Sequence, residues 1–148
     1  MVVIQFEREH LFLKFERTII LVGDFKMLSK VYILDEKGLQ AILILGKNPR
    51  IKVTFSDEDI PLGSALAAYL LKMSSEQGLL PFMRFKENFL FYVKDYMFVG
   101  VLEETTKESI KKGFEFLHRL NEFLRERKIN DLDGLINALI EFLRGMTK

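Results

Sequence analysis

Two histidines, His10 and His118, stand near opposite ends of the 148-residue chain. Glu115 and Glu122 lie three residues before and four after His118, on one helical face. That is an ordinary charged face, without the second histidine or the carboxylate set of a metal-ligand motif. Both histidines are expected to be solvated. Ser64 sits in Leu62-Gly63-Ser64-Ala65-Leu66, which lacks the second glycine of a nucleophile elbow and falls inside a predicted helix. A Ser-His-Asp site can still assemble from distant parts of a chain, because triads are not sequence-local. Asp57, Glu58 and Asp59, and the pair Asp131 and Asp133, are the close carboxylate clusters. Such groups can hold Mg²⁺ or share acid and base roles. Each cluster here precedes a predicted helix, where negative charge offsets the positive end of the helix dipole. The absence of cysteine removes thiolate metal sites, disulfides and thiol nucleophiles together. Neither GxGxxG nor GxxxxGK[ST] occurs, so the usual phosphate loops are missing. The expectation is no catalytic residue, no metal and no cofactor.

Binding chemistry is the next question. Lys plus Arg total 22 against 21 Asp plus Glu, a formal net charge of +1, which argues against a dedicated nucleic-acid binder. Residues 107–128 hold seven basic side chains, and aromatics interleave with Arg84, Lys86 and Lys94, a pattern that can grip single strands. Glu108–Lys112 and Glu115–Arg119 are nevertheless the i,i+4 pairs of any solvated helix. Nucleic acid is disfavoured. The 14 phenylalanines could line a cavity for an apolar ligand if the N-terminal strands curl into a barrel, but a dense core is the preferred reading.

The elements that must position these residues follow from periodicity. Segments 2–6, 11–15 and 18–22 are short, β-branched or aromatic, and separated by charged turns. Strands at 30–34 and 39–45 are joined by Asp35-Glu36-Lys37-Gly38, a hairpin with glycine where positive φ is required. A strand at 51–55 alternates Ile51, Val53 and Phe55 with Lys52 and Thr54. A first helix begins near Ile60, with Pro61 in its first turn and Leu62, Leu66, Tyr69, Leu70 and Met73 as its apolar stripe. Its small residues, Gly63, Ser64, Ala65, Ala67 and Ala68, would let it approach a sheet closely. Strands 81–86, 89–93 and 96–102 follow with hairpin connections. Thr105-Thr106-Lys107-Glu108 opens a helix over 106–126, and a last helix starts at Asn130 or Asp131 with Leu132, Leu135, Ile136, Leu139 and Leu143 as its stripe. Strands 39–45, 89–93 and 96–102 are apolar on both sides and are expected at the centre of the sheet. The fold class is α+β: a mixed, mostly antiparallel sheet covered by helices on both faces, with extra N-terminal strands.

From Lys30 onward this order resembles the longin, SNARE-like branch of the profilin-like folds. The run Phe89-Leu-Phe-Tyr-Val-Lys-Asp-Tyr-Met-Phe-Val-Gly-Val101, with Phe114-Glu-Phe-Leu-His-Arg-Leu-Asn-Glu-Phe-Leu124 behind it, is similar to the hairpin and long helix of longin domains and small adaptor subunits. Val31-Tyr-Ile-Leu-Asp-Glu-Lys-Gly38 is similar to their opening hairpin. The division read from this likeness is an N-terminal β extension, 1–29, and a longin-like α+β domain, 30–148, forming one compact unit. The resemblance implies a non-enzymatic domain that binds protein partners or dimerises. The alternative is a small apolar-ligand binder, or an enzyme of unrecognised type, with a Phe-lined cavity.

Charges in the first nine residues and a longest apolar run of Ala65 to Leu71 predict neither a signal peptide nor a membrane span. With no cysteine, a cytoplasmic setting is expected. Three Gln and five Asn are few, as in heat-adapted proteins. A homodimer is expected, because Val2, Ile4 and Phe6 make a weakly protected edge and Ile140 and Phe142 lie off the main stripe of the last helix. Strands 51–55 and 81–86 are the other edge candidates, with Lys52 and Pro81 as partial protection.

Overall fold

Runs of valine, isoleucine, phenylalanine and tyrosine broken by short charged turns favour antiparallel pairing through tight connections. The computed structural model describes residues 2–7, 10–15, 28–46, 49–76 and 81–145, with 2–7 and 10–15 described by their backbone. The elements are β1 (Val2–Glu7), β2 (His10–Phe15), β3 (Leu28–Asp35), β4 (Gly38–Ile44), β5 (Arg50–Lys52), α1 (Asp59–Glu76), β6 (Phe82–Lys86), β7 (Phe89–Val93), β8 (Met97–Leu102), α2 (Lys107–Arg125) and α3 (Leu132–Gly145). Six strands form the body of the sheet in the order β5-β4-β3-β8-β7-β6, and β2 and then β1 extend it beyond β5. Every pairing is antiparallel.

β3 lies between β4 and β8, with Tyr32 opposite Ile42 on one side and Val99 on the other. Because successive strand side chains point to opposite faces, parity sorts the core into two clusters. Val31, Ile33, Ala41, Leu43, Leu90, Tyr92 and Phe98 pack with Phe116, Leu117, Leu120 and Leu124 of α2 and Leu135, Ile136, Leu139 and Leu143 of α3. Tyr32, Leu34, Ile42, Phe91 and Val99 pack with Leu66, Ala67, Leu70 and Met73 of α1. Strands β4, β7 and β8 are interior in the strand order and contribute to both clusters, as their two-sided apolar character predicts. Each fully buried Leu or Phe here contributes roughly 1.5–3 kcal/mol relative to exposure.

Gly38 follows the β3–β4 turn with φ +124, and Asp35 Oδ1 accepts from Lys37 N at 2.7 Å to close it. Thr106 caps α2, its hydroxyl accepting from Ser109 N at 3.1 Å.

Four expectations need correction. β5 is three residues long and interior, paired with β2 and β4, so it is neither 51–55 nor an edge. After Lys52 the chain leaves the sheet: Val53 packs in the α2–α3 cluster, Phe55 in the α1 cluster, and Asp59 binds the Lys52 ammonium and accepts from Ser56 N at 3.1 Å. In α1, Leu62 is exposed, and Gly63 and Ala67 take its place against the sheet. In α3, Leu132 is exposed while Phe142 is 7% exposed, edge-on to Phe116 and Phe123 at 5.6 and 5.3 Å. Phe142 is a core residue, and Ile140 is half-buried against the same cluster, because α3 turns this side to α2 and leaves Asn137, Glu141 and Arg144 exposed. The strand expected at 18–22 lies outside the described residues.

Candidate functional site

β6 ends the strand order on one side, and Pro81 precedes it at that edge. Between β6 and α2 runs an open groove of about 550 Å³, lined by Met83, Phe114, Lys111, Glu115, His118 and Arg119. Met83 reaches it because β6 alternates: Phe82 turns into the α1 cluster, whereas Phe85 packs with the α2 cluster and Met83 shares that side. Met83 is 59% exposed, the most of the large apolar side chains exposed among the described residues. Phe114 is the single phenylalanine of the lining, so this is a surface groove rather than a Phe-lined cavity.

Directly opposite Met83 in the register is Tyr92, whose ring is buried and stacked on Phe98 at 5.9 Å. Its hydroxyl lies 2.7 Å from Nδ1 of His118. Burial, followed by the charges of Glu122 and Asp95, pushes the Tyr92 phenol up to about 12. The phenol therefore stays protonated at neutral pH, donating to a neutral imidazole or accepting from an imidazolium. The other ring nitrogen of His118 faces Glu122 Oε1 at 3.9 Å. Glu122 is held below the usual carboxylate range, first by the hydrogen bond from Lys94 and then by the Arg125, Lys94 and His118 charges. His118 is thus oriented by a buried tyrosine, beyond the expectation of simple solvation. The sequence signal for this was the tyrosine on a two-sided apolar strand, which needs a partner for its hydroxyl.

Asn121 was also missed. It is fully buried, its Oδ1 accepts from Asp95 N at 3.2 Å and Tyr96 N at 3.1 Å, and its Nδ2 donates to Asp95 Oδ2 at 2.9 Å. The available signal was an amide on the face of α2 defined by Leu117, Leu120 and Leu124.

The other sequence candidates have structural roles. Burial alone would raise Asp59, but Lys52 and the Ser56 backbone and hydroxyl hold it lowered. Asp131 Oδ1 accepts from Gly134 N at 2.7 Å at the start of α3. Ser64 is exposed on α1. His10 pairs with Glu7 in the β1–β2 register, and its side chain lies outside the described residues. Among the described residues, no three of His, Asp and Glu gather as a metal would require. With Met83 and Phe114 beside His118, Lys111, Glu115 and Arg119, the groove offers apolar contact, one imidazole and mixed charge.

Val2, Ile4 and Phe6 share one parity of β1, the strand that ends the order opposite β6. A second surface lies on α1. Its outward positions Pro61, Leu62, Ser64, Ala65, Ala68, Leu71 and Ser75 are exposed, and between Asp59 and Glu76 the helix holds one charge, Lys72. Ile60 is 53% exposed, Leu62 38% and Leu71 41%. Among the described residues no helix is long and apolar enough to cross a membrane. No family model matches this chain, and no curated protein or solved structure matches it.

Proposed function

We propose that this chain is a non-enzymatic interaction or scaffold domain that self-associates as a homodimer through the outer face of α1. One observation carries the reading. A helix facing water ordinarily puts its charges outward, and α1 presents isoleucine, proline, leucine, serine and alanine, with Lys72 as the one charge before the terminal Glu76. Small side chains at 64, 65 and 68 allow a second helix to come close, and a symmetric pair covers the same patch on both copies. The fold is read as longin-like, with α1 over one face of the sheet and α2 and α3 over the other. The strand-strand-strand-helix-strand-strand-strand-helix-helix order from β3 onward supports this. A dimerising or partner-binding role is what that likeness implies.

The helix is roughly 27 Å long at 1.5 Å per residue and about 10 Å wide. It therefore supplies only part of the roughly 800 Å² per partner that a standard interface buries. The dimer is expected to dissociate in the micromolar range. Sedimentation equilibrium from roughly 1 to 100 μM should show a monomer–dimer equilibrium. Ala68→Glu and Leu71→Glu, both on exposed positions, should leave monomer with thermal stability retained. A wild-type monomer throughout that range overturns the reading.

A further inference from the structure

We infer that the edge of β6, unpaired among the described residues, takes with the groove beside it an extended segment of a protein partner whose residues alternate acidic and apolar. This rests on the interaction-domain reading above and names a partner chemistry for a different surface from the α1 face. A terminal strand leaves every second N–H and C=O unpaired, and an added strand satisfies them. Here the two sides of that edge differ in chemistry. On the α1 side stand Arg84 and Lys86, both exposed. Arg84 Nη1 lies 3.5 Å from Met73 Sδ, and Lys86 Nζ lies 5.8 Å above the Tyr69 ring, so among the described residues neither has a carboxylate partner. On the α2 side stand Met83 and the groove floor at Phe114, with Lys111 and Arg119 at the rim.

An added strand must alternate in the same way, because its side chains also point to opposite faces. Its residues on the α1 side meet Arg84 and Lys86, which selects carboxylates. Those on the α2 side enter the groove at Met83 and Phe114, which selects leucine-sized apolar groups. The cations along this edge are Arg84, Lys86, Lys111 and Arg119, against the carboxylates Glu87 and Glu115. This balance also disfavours a second copy of β6. Centring two antiparallel copies on the strand's middle residue places Arg84 directly opposite Arg84, a destabilising like-charge pair.

The test uses the whole chain and a capped peptide of alternating Glu and Leu, about seven residues long, so as to span the five-residue strand. Backbone amide shifts of β6 and ring shifts of His118 should move on titration. Reversing the peptide to alternating Lys and Leu, or N-methylating the backbone on the pairing edge, should weaken binding about tenfold or more each. Arg84→Glu with Lys86→Glu should do the same, and Arg84→Gln with Lys86→Gln serves if the reversal disturbs folding. Loss of affinity with added salt should accompany these effects. No movement of the β6 amides at millimolar peptide, binding indifferent to N-methylation, or β6 amides that shift with protein concentration alone would each overturn the inference. The last of these would assign the edge to a second copy. The α1 variants separate the two ideas: a dimer that persists while the peptide fails removes this inference and leaves the interaction reading standing.

Discussion

α1 and α2 are nearly equal in length, 18 and 19 residues, and each lies against one parity of the same strands, yet their outer faces are opposites. α2 turns Lys107, Glu108, Lys111, Glu115, His118, Arg119 and Arg125 to solvent and is fixed to the sheet by polar contacts. Asn121 grips the β7–β8 turn, Tyr92 holds His118, and Lys94 reaches Glu122 at 2.9 Å. α1 has almost no outward charge and sits on its cluster through Leu66, Ala67, Leu70 and Met73. Burial on a sheet thus determines only the inward stripe of a helix. The outward stripe is not constrained by the sheet, and here it is charged on α2 and almost uncharged on α1.

The comparison breaks most sharply at Asn121. Removing its side chain leaves the N–H groups of Asp95 and Tyr96 without their acceptor and opens a hole beneath α2. Asn121→Ala should cost about 3 kcal/mol, since unsatisfied buried groups carry roughly 1–3 kcal/mol each. Urea denaturation measures this directly, and a loss under about 1 kcal/mol would mean that α2 is held chiefly by its apolar stripe. Tyr92 gives a pH test of the same seat. Its folded pKa of about 12 lies above the ordinary 10, so above pH 10 the unfolded chain loses the phenolic proton first. Stability is therefore full below pH 10 and is lost as pH rises toward 12, by up to about 2–3 kcal/mol for a shift of this size. Tyr92→Phe should remove that component of the alkaline loss. An unchanged alkaline profile in the variant would detach the phenol from it.

Much of this architecture was legible in sequence, because hydrophobic period is a local property. β7, β8, α2 and the β3–β4 hairpin with Gly38 follow from spacing within a dozen residues. The failures share a cause, which is that outward and inward are set by neighbours distant in the chain. Leu62 looked like stripe because α1 is apolar on several sides, so its phase could not be read until the sheet chose Gly63 and Ala67. Phe142 looked exposed because it lies off the α3 stripe, and only the side-by-side contact with Phe116 and Phe123 places it inside. β5 ends at Lys52, after which Val53 and Phe55 go to opposite clusters, a division set by the α2–α3 and α1 packing on the two sides. For the site, the residue types around His118 were visible, but the phenol that orients it is 26 positions away. Residues 81–86 were legible as an edge, with Pro81 before the strand, but the groove beside it depends on where α2 packs, which periodicity does not specify.

The smallest expected effects lie where each helix meets the sheet through a glycine. A methyl group placed on Gly63 of α1 would come 2.7 Å from Leu39 Cβ, an atom fixed to the backbone of β4. A methyl on Gly113 of α2 would meet a terminal methyl of Leu90 and, at 3.3 Å, Leu102 Cδ2, both the far ends of rotatable side chains. In a helix interior, Ala is preferred to Gly by roughly 0.8–1.0 kcal/mol, which partly offsets either clash. Overpacking costs about 1–3 kcal/mol, toward the upper end where the backbone must move. Gly63→Ala should therefore destabilise by about 1–2 kcal/mol net and Gly113→Ala by less, even though Leu90 is wholly buried and Leu39 only partly so. Paired denaturation curves decide it. The reverse order would show that α1 can rise on its sheet at little cost while α2, tied down by Asn121 and His118, cannot, and the polar anchors would then set the rigidity of the seat more than the closeness of the helix does.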